Sequence, residues 1–313
     1  MQSKSLPRTQ SLIVVRNLEY LFRASLIILN NLKIKLDTVM IDSMFSVNNR
    51  SIVITGGLGQ LGRQFSHALL ERGAKVAILD PAAGQIKLSA DLENYQQDDK
   101  LLVISADVTQ RNTLEDALLV IKEKWGQAPY GLINNAALDS PPGASSDETG
   151  PFETFPEESW DRIMDVNVKG VFHSCQVFGA EMAKVGKGAI INIGSTYGIV
   201  SPDHRIYEYK AEKTGQDFFK PVAYAASKSA LVNLTNYLAA YWGKDGVRTN
   251  LMALGGVFNH QDKEFLEGYC ARVPMGRMAN EDEYNGTVIY LMSDASSYVT
   301  GATVMLDGGW TVW

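Results

Sequence analysis

The 313-residue chain is long enough for one large domain or two small ones, and 45% hydrophobic residues supply a sizeable core. A net charge of −6 argues against nucleic acid as the main partner. Cys175 and Cys270 form no CxxC pair, and His67, His173, His204 and His260 lack metal-site spacing, so no metal is expected and a reducing, cytoplasmic setting is.

Residues 1–49 differ from the rest. Between Met1 and Leu36 stand six Lys or Arg and one acid, Glu19. Apolar residues cluster at 12–15, 18–22 and 26–29, but no run approaches the ~20 residues that span a bilayer. Arg16, Glu19 and Arg23 also break the pattern of a secretory signal. A basic amphipathic start fits a targeting peptide or a surface-lying helix, the only membrane contact expected. Translation beginning at Met44 is the third reading, and a chain without residues 1–43 would carry a charge of −9.

From residue 50 strands and helices alternate. Ser51–Ile54 is a β-branched run that reads as a buried strand. It leads into Thr55-Gly56-Gly57-Leu58-Gly59-Gln60-Leu61-Gly62 and a helix to about Arg72. Gly57, Gly59 and Gly62 match G-x-G-x-x-G at a strand-to-helix turn, where glycine permits a tight turn and close approach to a pyrophosphate. A second strand, Lys75–Leu79, ends at Asp80, 18 residues beyond Gly62. An acid there hydrogen-bonds an adenosine ribose and repels a 2′-phosphate, which favours NAD over NADP. Arg63 could hold such a phosphate, but reads better as a solvated helix residue.

Leu101–Ile104 is a third strand, ending in Asp107-Val108, and 113–125 a helix. Gly131–Ile133 is a fourth, ending in Asn134-Asn135-Ala136-Ala137. Strand C-terminal ends are where open α/β sheets bind ligands, although Asp107 could equally cap a helix and the asparagines turn the chain. A proline- and acid-rich loop, 138–157, precedes a helix over about 158–184. Asn167 stands near its middle, where asparagine competes for backbone hydrogen bonds, so a functional or bend-forming role is expected. Ala189–Ser195 is a fifth strand with Ser195 at its tip.

The stretch 201–222 carries eight charges and four aromatics, Tyr207, Tyr209, Phe218 and Phe219. It reads as a pocket rim for a polar ligand with flat faces, such as a sugar, or as a solvated loop. Ala223–Trp242 then has helical periodicity, and positions four apart place Tyr224 and Lys228 on one face. A neighbouring ammonium lowers a phenol pKa from ~10, making the pair a candidate proton-transfer device. The same spacing also occurs on ordinary exposed helices. A strand (Val247–Leu254), a segment 257–279, a helix (Glu281–Met292) and a last strand (Thr303–Leu306) finish the chain. Arg272 and Arg277 would pair with a substrate phosphate or carboxylate, or with nearby acids. The alternation predicts an α/β, Rossmann-like doubly wound parallel sheet of about seven strands in one domain, 50–313.

The order of these motifs resembles the short-chain dehydrogenase/reductase family, in its compact single-domain branch. The resemblance rests on Thr55-Gly56 with Gly62, Asp107-Val108, Asn134-Asn135-Ala136, Asn167, Ser195, Tyr224 with Lys228, Tyr298-Val299-Thr300-Gly301 and Asp307-Gly308-Gly309. It implies an oxidoreductase that interconverts a secondary alcohol and a ketone with NAD or, second, NADP. Tyr224 would be the acid–base, Lys228 would lower its pKa and hold the nicotinamide ribose, and Ser195 would orient the substrate oxygen. Asn167 would hold a water linking Lys228 to solvent. The cofactor site would comprise Thr55, Gly56, Gly57, Gly59, Gln60, Leu61, Gly62, Asp80, Asp107, Val108, Asn135, Ala136, Ala137, Tyr224, Lys228, Gly255, Gly256 and Val257. A homodimer or homotetramer built on the two long helices is also implied.

The chain departs from the family pattern in four places. Gln60 replaces a middle glycine, a spacing similar to the extended branch that includes sugar-nucleotide epimerases. Ala137 replaces a glycine. Leu254-Gly255-Gly256 replaces a Pro-Gly, which predicts a looser loop on the nicotinamide side. Ser195 and Tyr224 are 29 positions apart, more than twice the usual gap. Only 85 residues follow Lys228, too few for a second substrate domain. The opening motif and the long insertion also resemble oxidoreductases of surface-sugar or flagellin-modification pathways. An epimerase or dehydratase that recycles bound NAD, and a nucleotide-binding protein without turnover, are the rival readings.

Overall fold

Seven parallel strands form one sheet in the computed structural model, which describes residues 43–139 and 148–313, in the order β3-β2-β1-β4-β5-β6-β7. They are β1 (Ser51–Thr55), β2 (Lys75–Leu79), β3 (Leu101–Ile104), β4 (Gly131–Asn134), β5 (Gly188–Ser195), β6 (Val247–Leu254) and β7 (Thr303–Leu306). Parallel strands are covered on both faces, which is why they read as short unbroken apolar runs. The two-residue repeat shows in β1. Ile52 and Ile54 enter one core with Phe65, Leu69, Ile191 and Val288, and Val53 enters the other with Leu132, Phe178, Ile190 and Leu231. Each such fully buried side chain contributes roughly 1.5–3 kcal/mol.

The helices are α1 (Gln60–Leu70), α2 (Ala90–Gln97), α3 (Arg111–Trp125), a continuous α4 over 157–185, α5 (Glu208–Thr214), α6 (Val222–Trp242), α7 (Lys263–Cys270) and α8 (Asn285–Met292). Helices α1 and α8 cover the first core, and α3, α4 and α6 the second. Helix α4 widens into π turns at Asp165–Lys169 and Cys175–Gly179. The first is centred on Asn167, the residue whose poor helix propensity suggested a bend.

The order reverses between β1 and β4, where α/β sheets open a crevice beyond the strand ends. Register sets the depth of this crevice. Thr55, Asn134 and Asn192 share one row, and β5 runs three residues further to Ser195, opposite Leu254. The compact unit extends from Met44, and Val47 is fully buried in its first core. The readings of residues 1–42 and 140–147 lie outside the described residues.

Candidate active site

The turn after β5 delivers Ser195 to helix α6. Gly198 in that turn lies so close to α6 that a Cβ would sit 2.7 Å from the carbonyl carbon of Lys228. The Ser229 hydroxyl donates to the Gly198 carbonyl at 2.9 Å. The long insertion therefore loops out without separating the residues it divides. Ser195 Oγ accepts from the Tyr197 amide at 3.1 Å and hydrogen-bonds the Tyr224 phenol. Lys228 Nζ donates to the Ile193 carbonyl at 2.8 Å and sits 5.8 Å from the Tyr224 ring centroid.

Electrostatics here depart from the expectation that Lys228 lowers the Tyr224 pKa. Burial pushes the phenol above its ordinary value, the Asp139 charge adds to this, and only the Ser195 hydrogen bond opposes it. Lys228 is itself buried, which lowers its pKa to about 8, and its ammonium is committed to a backbone carbonyl. The protonated phenol and an easily discharged lysine are the forms this environment favours.

Asn167 closes a polar network. Its Oδ1 accepts from the Leu138 amide at 2.7 Å, and its Nδ2 donates to the Leu138 carbonyl and to Ser227 Oγ, both at 2.9 Å. The carboxamide expected to hold a water is thus engaged with the loop after β4 and with the residue beside Lys228.

At the glycine turn, Thr55 Oγ1 accepts the amides of Asn135 and Ala136 at 3.1 Å, pinning the β1 end to the β4 end. Asn135 Nδ2 donates to the carbonyls of Thr55 and Gly56. A Cβ at Gly62 would lie 2.5 Å from the Gly56 carbonyl oxygen and 2.6 Å from Gly57 Cα, so internal packing alone requires glycine there. Gly59 differs: its Cβ would meet only the Gly56 oxygen, at 3.4 Å. Its smallness is not demanded by neighbours and fits a phosphate approaching the backbone at the start of α1. Asp80 folds onto this turn, accepting from the Leu58 amide at 3.2 Å and the Ala82 amide at 3.0 Å. Asp107 turns the chain, accepting from the Thr109 amide and hydroxyl, and Val108 is buried against α4.

A cavity of ≈680 Å³ gathers Gln60, Leu61, Asn135, Ala137, Ser195, Tyr224, Lys228, Gly255, Gly256 and Val257. The expected residues outside its lining are Thr55, Gly56, Gly57, Gly59, Gly62, Asp80, Asp107, Val108, Ala136 and Asn167. The loop after β6 is tied rather than loose: the Gly256 amide donates to the Tyr269 hydroxyl at 2.5 Å, and the Gly255 amide to Leu306. Gln60 Nε2 bridges to the Phe258 carbonyl and Glu281, joining α1 to 257–279. Sequence reasoning took 201–222 as a pocket rim without singling out Lys210 and Lys220, and it did not place Asp139, from the acid-rich loop after β4, in the cavity.

A short chain dehydrogenase model matches residues 50–221, and an enoyl-(acyl carrier protein) reductase model matches 208–311. The chain belongs to the short-chain dehydrogenase/reductase family. It is accordingly an NAD(P)-dependent oxidoreductase of CH–OH groups. Galactitol 2-dehydrogenase of Rhizobium johnstonii is 30% identical, over 86% of this chain and 98% of its own. NAD-dependent glycerol dehydrogenase of Listeria innocua is 27% identical, over 87% and 97%. Among solved structures, a short chain dehydrogenase from Leptospira borgpetersenii with bound NAD+ superposes with a TM-score of 0.74 at 30% identity, over 88% of this chain and 97% of that one. Gluconate 5-dehydrogenase from Burkholderia cenocepacia, in complex with NADP and tartrate, gives 0.73 at 27% identity, over 87% and 98%.

Proposed function

We propose that this oxidoreductase interconverts a secondary alcohol and a ketone on a polar, sugar-like molecule, with NAD as the preferred cofactor. The observation that carries the reading is the convergence of Ser195, Tyr224 and Lys228 on one cavity beside Asn135 and the start of α1. Relatives named for galactitol and glycerol support the substrate class. The carboxylate of Asp80 at the glycine turn supports NAD, because it would repel a 2′-phosphate.

The glycine turn and the first amides of α1 would hold the dinucleotide's phosphates, Asp80 its ribose, and Asn135 and Lys228 its nicotinamide end. Bound there, the dinucleotide supplies the hydride acceptor or donor. In the direction of reduction, Tyr224 donates its proton to the carbonyl oxygen, while Ser195 hydrogen-bonds that oxygen and stabilises its developing charge. In oxidation the phenolate takes the alcohol proton. Asn167 acts by position, fixing Leu138 above the site and Ser227 between the two functional residues of α6. Exposed Tyr237 and Tyr241 on α6 and Phe172 on α4 support pairing of copies through those helices. Two free cysteines support a cytoplasmic setting.

The test is an NAD(P)H-coupled survey of alditols, sugars and simple secondary alcohols, repeated with Tyr224→Phe. Turnover should fall by about 10³-fold or more in the variant, with NADH affinity within about twofold of wild type. Unchanged turnover would overturn the assignment of Tyr224. Catalysis of a sugar nucleotide without net NADH formation would favour an epimerase.

A further inference from the structure

We propose that the cavity over Tyr224 receives a substrate bearing an anionic group, a carboxylate or a phosphate, and that Lys210 and Lys220 bind that group. The inference rests on the dehydrogenase reading and deepens it. Both lysines come from the 201–222 insertion and line the same cavity as Ser195 and Tyr224. The Lys220 side chain is 11% exposed, and its Nζ lies 4.9 Å from the Tyr224 ring centroid. Asp139, on the more open side at 49% exposure, holds that ammonium at 2.5 Å. Lys220 thus places a buried ammonium, paired with Asp139, beside the phenol.

Lys210 is arranged differently. Its Nζ stands 3.9 Å over the Phe218 ring, with no carboxylate at ion-pair distance among the described residues. Asp262, whose charge reaches it, accepts from the Tyr209 hydroxyl at 2.8 Å. Burial disfavours the Lys210 ammonium, the Asp262 charge partly opposes this, and a smaller repulsion from Lys220 adds to the burial effect. Keeping the Lys210 ammonium partly desolvated beside the Lys220–Asp139 pair costs free energy, and an anion seated between the two ammonium groups offsets that cost. A neutral polyol leaves it in place. The third ammonium of the cavity, Lys228, donates to the Ile193 carbonyl and belongs to the reacting end. The geometry therefore orders the substrate, with the carbinol at Ser195 and Tyr224 and the anion toward the insertion.

The experiment compares matched alditols, aldonates and alditol phosphates, including D-glucitol, D-gluconate and D-glucitol 6-phosphate, in the full chain with NAD+ and with NADP+. An anionic member should have the highest kcat/KM, and the aldonate and phosphate arms distinguish the two sources of charge. Lys210→Met should cut the charged-to-neutral kcat/KM ratio by roughly 10- to 100-fold, the range of a charge-assisted hydrogen bond, and Lys210→Arg should keep most of it. A merely structural lysine would lower charged and neutral substrates together and leave the ratio unmoved. That result, or a neutral alditol as the best substrate, overturns the inference. D-gluconate and D-glucitol 6-phosphate are also titrated into the enzyme–NADH complex by nicotinamide fluorescence. Anion binding that weakens in Lys210→Met, with no turnover of any member, would overturn the dehydrogenase reading while leaving the anion site standing. Binding equal in both proteins would overturn the site itself.

Discussion

The ammonium of Lys228 donates to Ile193 at 2.8 Å, and burial pushes its pKa down from 10.5 to about 8. That difference corresponds to about 3 kcal/mol against the charged form. The unfolded chain holds this proton up to its own higher pKa, so between about pH 8 and 10.5 it binds more protons than the folded one. Stability from this group therefore rises with pH across that window, and below it the full penalty remains. Lys228→Met should remove the penalty at pH 7 at the loss of one hydrogen bond, worth about 1 kcal/mol. Denaturant unfolding at pH 7 should show a gain on the order of 1–3 kcal/mol, shrinking toward pH 10, with turnover abolished; a less stable variant at pH 7 would refute the account. The four-residue spacing made Tyr224 and Lys228 legible as partners. It could not give the direction of the phenol's shift, because spacing reports a helix face and not burial. Much of the cavity wall around Tyr224 comes from Tyr207 and Phe218 of the insertion and from Phe265 and Tyr269, which reach it through loops that periodicity does not report. Lys220, four positions before Tyr224, was illegible for a different reason: it precedes α6, so helical spacing does not carry it to the ring.

At the scale of elements, the β1–α1 turn separates two reasons for glycine. Gly62→Ala drives a methyl into the backbone of Gly56 and Gly57, which cannot retreat without breaking the β1–α1 join. A loss of about 1–3 kcal/mol is expected, together with loss of NADH binding. Gly59 has extended backbone angles, φ −72° and ψ 173°, and space for a Cβ. Gly59→Ala should change stability by about 0.5 kcal/mol or less yet weaken NADH binding roughly tenfold or more. Thermal melts beside NADH fluorescence titrations check the pair, and equal effects on both readouts at both positions would remove the argument for a phosphate at this turn. The strands were read to within a residue because the runs are short and apolar and, in the five inner strands, almost wholly buried. Helix α2 was not read, since among its described side chains only Leu92 is buried and it offers no stripe. The π turn at Asn167 was announced only by a poor helix former; its form depends on Leu138 and Ser227, supplied by other elements.

At the scale of the whole sheet domain, two late segments close over one site. The insertion and 257–279 are joined by Arg272 Nε to Asp203 at 2.6 Å, Tyr209 to Asp262 at 2.8 Å and Lys213 to Glu264 at 2.7 Å. The Tyr207 ring packs between Phe218 and Phe265. The sequence placed the insertion at a pocket rim by its charges and aromatics. It left open whether the arginines would meet substrate or acids: the Arg272 pairing forms only when segments about 70 residues apart meet, and the Arg277 pairing is a local turn of six positions that periodicity does not report. Arg272 meets Asp203, and Arg277 meets Glu283. Hydrogen bonds from Arg205 and Arg272 hold the Asp203 carboxyl well below the usual carboxylate range. Its contribution is present above the unfolded pKa and fades as pH falls through the folded one. The pair is partly exposed and is worth at most about 1 kcal/mol, which is about fivefold in an equilibrium constant. This aromatic cluster, with Ile206, Tyr269 and Trp310, is separate from the two sheet cores, so the strain of losing Asp203 should fall on the cavity wall. Asp203→Asn should raise substrate KM up to about fivefold, with kcat, NADH affinity and Tm nearly unmoved at pH 7. A fall in Tm with KM unchanged would show instead that the clamp supports the fold and leaves the cavity indifferent to it.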